Sequence, residues 1–324
     1  MVSVSNSRQV ADLVAKVREN VQRVIVGKDE SIELALVALL CRGHILVEDV
    51  PGIGKTTLSK ALAQSLGCTF KRIQFTPDLM PSDVLGVNFF NQKTSEFEFL
   101  PGPIVSQILL ADEINRATPR TQSALLEAMQ ERQTTVDGVT RALPKPFLVL
   151  ATQNPIEMEG TFPLPEAQLD RFLLRLRLGY PTKEEDREIL GRFKQTHPID
   201  ALEAVVEADQ LLEMGQTVRG VLVDADIEGY IVDIVHRTRD HAEVELGASP
   251  RAMLGLYRAS QALAALRGRT FVTPDDVKYL APFALEHRII PKAQSHLRGQ
   301  SAGDILRSVV ESVAVPVERV AEQG

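Results

Sequence analysis

The sequence contains no tryptophan, only two cysteines, and aromatic residues at just 5% of its 324 positions. Cys41 and Cys68 form no Cys-x-x-Cys pair, which argues against a disulfide framework or a thiolate zinc site and fits a reducing compartment. There is no excess of basic charge. The formal net charge is −7, and together with the missing tryptophan it argues against a nucleic-acid motor and against broad binding to anionic membranes. No apolar run approaches the roughly 18 residues of a membrane span. Met1–Val10 lacks a basic start followed by an apolar core, so no secretory signal is expected and a cytoplasmic location is. Low-complexity tracts and internal repeats are also missing. What remains is 44% hydrophobic and 24% charged, an ordinary globular composition, at a length that suits about two domains.

One stretch stands out, Leu46–Leu58. The apolar run Ile45-Leu46-Val47 stops at a loop punctuated by Pro51, Gly52 and Gly54. Leu58, Ala61, Leu62, Ser65 and Leu66 then follow at helical spacing. Strand, loop and helix form the setting of a phosphate-binding loop. In that reading Val50, Pro51, Gly52, Ile53, Gly54, Lys55, Thr56 and Thr57 cradle the phosphates of ATP or ADP. Lys55 reaches the β/γ-phosphates, and the Thr56 hydroxyl holds Mg²⁺. The full pattern wants a glycine six residues before the lysine, and Asp49 stands there. The same residues also fit an ordinary βα turn with a surface lysine.

Upstream, Val10, Leu13, Val14, Val17, Val21 and Val24 predict a helix, and Ser31–Cys41 predicts a second. Between them Ile25-Val26-Gly27-Lys28 either lines an adenine pocket, through Val26 and Gly27, or is a plain helix–helix turn. Downstream, Phe70–Phe75 reads as a strand. Thr76–Pro103 is irregular and reads as an insertion, either functional or a passive surface hairpin, with Phe97-Glu98-Phe99 alternating like a short strand. Ile108–Ala111 reads as a buried parallel strand that delivers Asp112 and Glu113 at its C-terminal end. There Asp112 would hold Mg²⁺ and Glu113 would polarise an attacking water. Gln122–Arg132 predicts a helix, and Asp137-Gly138 predicts a hairpin turn. Phe147–Thr152 predicts another buried strand, ending near Asn154, which either senses a γ-phosphate or is a turn residue before Pro155.

Four segments carry a family resemblance. They are Leu110–Ala117, Gln122–Glu131, Ala151–Pro155 and the run from Glu159 to Phe172, Glu-Gly-Thr-Phe-Pro-Leu-Pro-Glu-Ala-Gln-Leu-Asp-Arg-Phe. In this order they resemble the MoxR family of AAA+ ATPases, which tolerates an acidic residue where Asp49 stands. The resemblance implies an α/β fold: a P-loop NTPase core of three αβα layers with a parallel sheet, plus a smaller all-α lid. It implies a helical insert at 76–103 and a hairpin at 134–143 in that core. It also implies a homo-oligomer, usually a hexameric ring. On this mapping Asn154 is the first sensor and Arg171 the arginine finger reaching a neighbouring subunit's nucleotide. Arg251, in Gly247–Ala252, is the second sensor. By position alone, Arg171 would otherwise pair with Glu166 or Asp170, and Arg116, Arg120 and Arg132 are further interface candidates.

Gly179-Tyr180-Pro181 breaks the pattern, which places the core at 1–181 and the lid at 182–324. Thr182 and Glu185 form a capping box. Helices are expected at Asp209–Met214, Asp226–His241, Pro250–Leu266 and Pro274–His287, two of them entered through Ser249-Pro250 and Thr273-Pro274. The family resemblance implies hydrolysis of ATP to ADP and phosphate, coupled to chaperone-like maturation of other proteins, often by metal or cofactor insertion, with a separate von Willebrand factor A domain protein as partner. The alternatives are a magnesium-chelatase-like motor subunit, a helicase-loader-type nucleic-acid motor, and a nucleotide-switched binding module. The intact Asp112-Glu113 pair argues against the last.

Overall fold

The structure, a computed structural model, describes residues 4–155, 160–193 and 198–316. Its elements begin with α1 (Val4–Gln22), α2 (Asp29–Leu40), β1 (Ile45–Glu48), α3 (Lys55–Ser65) and β2 (Phe70–Gln74). Next come α4 (Pro81–Leu85), β3 (Gly86–Asn91), β4 (Glu96–Pro101), β5 (Ile108–Asp112) and α5 (Pro119–Glu131). Then follow β6 (Gln133–Val136), β7 (Val139–Ala142), β8 (Leu148–Gln153), α6 (Glu166–Leu169), β9 (Leu174–Leu176) and α7 (Lys183–Arg192). The chain continues through α8 (Ala208–Val218), α9 (Ala225–Asp240), β10 (Val244–Leu246), α10 (Pro250–Leu266), α11 (Pro274–Leu285), β11 (Ile290–Pro291), α12 (Ala293–Leu297) and α13 (Ala302–Ser312). None of the described helices is long and apolar enough to cross a membrane.

A five-stranded sheet runs in the order β2-β5-β8-β1-β9, and all its pairings are parallel. Parallel neighbours need crossover connections, and helices supply them. β5 is buried at all five positions because β2 and β8 flank it, which is why its sequence is a near-continuous apolar run. On the edge strand β2 only Ile73 is buried, so polar side chains are tolerated there. Leu46, Phe75, Leu109, Leu125, Leu126, Met129 and Phe172 form the main apolar cluster beside this sheet. α5 starts at Pro119, three residues before the expected Gln122, because proline fits the first helical position.

The segment 76–103 is not the helical insert that the family resemblance implied. It holds one five-residue helix, α4, and then an antiparallel hairpin of β3 and β4, paired from Gly86↔Pro101 to Asn91↔Glu96. The strand expected around Phe97-Glu98-Phe99 is part of β4, and Phe97 pairs across to Phe90 of β3. At the hairpin's base the Gly102 N–H donates to Leu85 O (3.4 Å) and the Ile104 N–H to Val84 O (3.3 Å). Val87, Phe89, Phe90, Phe97 and Leu100 are exposed on it. The Asp137-Gly138 hairpin is present as expected, between β6 and β7.

Contacts divide the chain into two compact units, Asp12–Gln216 and Met1–Ala11 with Thr217–Gly324, so the break falls after Gln216 and not at Pro181. The segment beyond Pro181 stays with the first unit through hydrogen bonds. Val205 N–H donates to Ser65 O (2.9 Å), Asn20 Nδ2 donates to Glu203 O (2.8 Å), and the Arg192 guanidinium donates to Gln22 O. The second unit is helical apart from a two-stranded ribbon of β10 and β11. Its core includes Ile231, Ile234, Leu256, Leu263, Val277 and Leu280. The expected caps are in place. Ser249 Oγ accepts the Ala252 N–H at 3.1 Å, and the Thr182–Glu185 box closes with bonds of 2.7 and 3.3 Å. α13 buries Ile305, Leu306 and Val309.

His44, just before β1, ties three elements together. Its Nδ1 accepts the Val149 N–H of β8 (3.0 Å), so Nε2 carries the proton and donates to Met129 O of α5 (3.0 Å). Burial lowers its pKa from 6.5 to about 4. The unfolded chain therefore binds a proton that the folded chain refuses between those values. Stability is held above pH 6.5 and lost as pH falls toward 4, by roughly 3 kcal/mol from this residue. In urea titrations the stability gap between wild type and His44→Gln should narrow steadily from pH 7 to pH 4. A gap independent of pH would show that His44 does not set this window.

Candidate functional site

β1 ends at Glu48 and the chain turns through Asp49–Gly54 into α3. Gly52 and Gly54 have φ of +85° and +93°, a left-handed backbone that side chains disfavour. No side chain caps α3, so its first amides are open to an anion. The Lys55 ammonium donates to Asp49 O (2.8 Å). Burial lowers the Lys55 pKa, against the opposing pull of Asp112, Asp49 and Glu113. Asp49 has a structural reason to depart from glycine: its Oδ1 accepts the Val50 N–H (3.0 Å) and its Oδ2 the Gly179 N–H (2.7 Å).

The buried strand β5 delivers the two carboxylates to the same rim. Thr152 at the end of β8 organises both. Its hydroxyl donates to Asp112 Oδ1 (2.6 Å) and accepts the Glu113 N–H (2.8 Å). Glu113 itself is left-handed, with φ of +57°, a conformation that costs a non-glycine residue about 1 kcal/mol. Two side chains of β2 reach across. Arg72 donates to Asp112 Oδ2 from Nη2 (2.7 Å) and Nε (3.2 Å), and Gln74 Nε2 donates to Glu113 Oε2 (2.7 Å). Arg116 lies 3.2 Å from the same glutamate oxygen. A cavity of about 320 Å³ is lined by Arg72, Gln74, Asp112 and Glu113 together with Gly52, Gly54, Lys55, Thr56 and Thr57. Asp112 and Thr56 are hard oxygen donors beside a phosphate loop, which suits Mg²⁺, an ion that keeps waters and substrate oxygens among its ligands.

A second cavity of about 420 Å³ adjoins the loop from the other side. It is mainly apolar, lined by Val24, Val26, Ile53, Leu178, Ile189 and Phe193, with Lys28 and Asp186 among its polar groups. An apolar slot with few polar groups suits a nucleobase. Val26 lines it as expected; Gly27 does not. Gly27 has φ of +67°, a left-handed backbone that favours glycine, and it lies against the Glu185 side chain of α7. The Lys28 ammonium donates to Leu178 O (2.8 Å) and Gly179 O (3.3 Å).

Asn154 is buried at the end of β8. Arg171 is half-buried between α6 and β9, with its N–H on Gln168 O (3.1 Å). Arg120 is exposed in the first turn of α5, and Arg132 donates to Arg42 O. Arg251 is exposed in the first turn of α10, in the other compact unit. Glu159, which opens the last resembling segment, lies outside the described residues. Sequence reasoning missed Arg72 and Gln74, whose signal is two polar residues at i, i+2 on the open face of an edge strand. It also missed Leu178, which reads simply as the end of a core strand, and Ile189 and Phe193, which lie beyond the Pro181 break.

Residues 44–174 match the family described as ATPase family associated with various cellular activities (AAA), and 236–309 match its lid domain. The chain is 53% identical to protein YeaC of Bacillus subtilis over 95% of this chain and 97% of that one. It is 44% identical to Chaperone MoxR1 of Mycobacterium tuberculosis over 94% of this chain and 83% of that one. A solved structure from Cytophaga hutchinsonii superposes with a TM-score of 0.91 at 38% identity, covering 97% of this chain and 98% of that one.

The Thr152 hydroxyl is the element of the site most open to a clean test. Thr152→Val keeps its shape and leaves Glu113 N–H and one Asp112 oxygen without their partner, so the folded state should lose about 1–3 kcal/mol in denaturant titrations. Unchanged stability would show that the bridge does not hold the acidic pair.

Proposed function

The chain belongs to the MoxR family of AAA+ ATPases, and on that premise we propose that it hydrolyses ATP to ADP and phosphate and spends the cycle on remodelling other proteins. The observation that carries this reading is the convergence of the phosphate loop and the Asp112-Glu113 pair on one cavity. The open amides of α3 receive the phosphates. Lys55 exchanges Asp49 O for the β/γ oxygens. Asp112 and Thr56 would hold Mg²⁺, which when bound neutralises charge on those oxygens. Glu113 takes the proton of the water that attacks the γ-phosphorus, and Asn154 orients that water. The base lies in the apolar slot of Val24, Val26, Ile189 and Phe193.

Arg171 acts in trans, so each site is completed by the neighbouring subunit of a ring, hexameric in this reading. Arg251 serves its own subunit's γ-phosphate. The partner is a separate von Willebrand factor A domain protein, and the cellular role is chaperone-like maturation of clients, including metal or cofactor insertion.

Lys55→Ala should lose nucleotide binding while the fold survives, and Glu113→Gln should bind ATP without turnover. Equilibrium binding and phosphate release, measured on one sample, decide both. Tight ATP binding by Lys55→Ala would sink the phosphate-loop assignment, and near-normal turnover by Glu113→Gln would move the base elsewhere.

The trans assignment has its own test. Arg171→Ala should bind nucleotide but hydrolyse roughly 10³–10⁵ times more slowly. Mixed under assembling conditions with Glu113→Gln, it should regain partial activity. Where the two variants adjoin in the right order, one site combines an intact Glu113 with the neighbour's intact Arg171. No recovery despite demonstrated co-assembly would reject Arg171 as the finger and leave Arg116, Arg120 or Arg132.

A further inference from the structure

The Asp112 carboxylate already has a cation on it. Its Oδ2 accepts two N–H bonds from one guanidinium, Arg72 Nη2 at 2.7 Å and Nε at 3.2 Å, and its Oδ1 accepts the Thr152 hydroxyl at 2.6 Å. A carboxylate oxygen offers two lone pairs, so the Arg72 contacts fill Oδ2. The same Nη2 also donates to Gln74 Oε1 (2.9 Å). Arg72 thus sits between the metal-binding carboxylate and the residue that holds Glu113. This is a poor way to stabilise a fold. The Arg72 side chain is 46% exposed, and an ion pair that exposed contributes little. Arg72 and Asp112 line the same cavity as Lys55 and Thr56, where the phosphates and their metal ion are expected.

We infer that Arg72 is a stand-in for the divalent cation: in the nucleotide-free protein it occupies Oδ2 of Asp112, the oxygen that Thr152 does not engage, and it must leave before the metal–nucleotide complex is held. The inference rests on the nucleotide reading above and adds a positioning residue that sets how much Mg²⁺ the site demands. Two cations compete for one carboxylate oxygen, so removing one favours the other. The displaced guanidinium remains beside a cavity that then contains phosphate oxygens, so its charge is not stranded.

Binding of a fluorescent ADP analogue to the full chain, titrated with MgCl₂, tests this without reference to turnover. Arg72→Met keeps the stem and removes the charge, and should lower the half-saturating Mg²⁺ by about fivefold, as expected for a partly exposed pair. With the metal chelated, it should bind the analogue no more tightly than wild type. A half-saturation equal to or above that of wild type would overturn the inference, as would tighter binding in chelator. Arg72→Lys keeps a charge but not the double contact. If Arg72→Met does not fold, a half-saturation below wild type in Arg72→Lys supports the inference and one at or above it overturns it. Failure of wild type and variants alike to bind the analogue at any Mg²⁺ concentration would overturn the nucleotide reading, and the Arg72 inference with it.

Discussion

Parallel pairing of β1, β8 and β5 is the constraint from which the site follows. Parallel neighbours all point the same way, so their C-terminal ends share one rim. The phosphate loop leaves β1 at that rim, the acidic pair leaves β5, and Thr152 and Asn154 lie at the end of β8. No single segment holds a complete site. Register does the assembling: Leu46 stands opposite Ala151, and Ala111 stands opposite Ala151 from the other side. A slip of one residue in the β5–β8 pairing would turn the Thr152 hydroxyl away from the Asp112 carboxylate and the Glu113 N–H.

The rim gathers several unfavourable features in one place. Glu113 is left-handed without being glycine, Lys55 is partly desolvated, and two acidic residues adjoin in sequence. Each is balanced locally by a hydrogen-bond partner: the Thr152 hydroxyl accepts the Glu113 N–H and donates to Asp112, Gln74 and Arg116 donate to the Glu113 carboxylate, and Asp49 O accepts from Lys55. The apolar cluster of Phe75, Leu109, Leu126 and Phe172 makes that tolerable, because it stabilises the fold without involving the rim.

Much of this was legible in the sequence because its signals are local. The β1 and β5 runs, the glycines before Lys55, the Asp137-Gly138 turn and the caps at Ser249 and Thr182 each declare themselves within a few residues. What was not legible depends on long-range contact. Arg72 and Gln74 gain meaning only when β2 docks beside β5. Gln122, in the middle of a recognisable motif, proves to be a brace, its buried amide donating to Ile114 O, Ala117 O and Phe162 O. The Gly179-Tyr180-Pro181 break reads as a domain boundary, yet Asp49 holds that segment to the loop after β1 and Lys28 holds it to the start of α2. Phe193 therefore lines the apolar cavity of a unit to which the sequence had not assigned it. The 76–103 insert was mistyped as helical by analogy, although the alternation in its own residues pointed to strands.

That insert leaves and rejoins the body at nearly the same point, where Gly102 and Ile104 bond back to Leu85 and Val84. A hairpin closed at its base is mechanically independent of its own length. Residues added or removed in pairs near Thr94 and Ser95 would change how far the tip projects beyond the Phe90–Phe97 pair while leaving the closure untouched, at only the slowly growing entropy of a longer loop. Its reach is thus a quantity that divergence can tune separately from the chemistry on the rim.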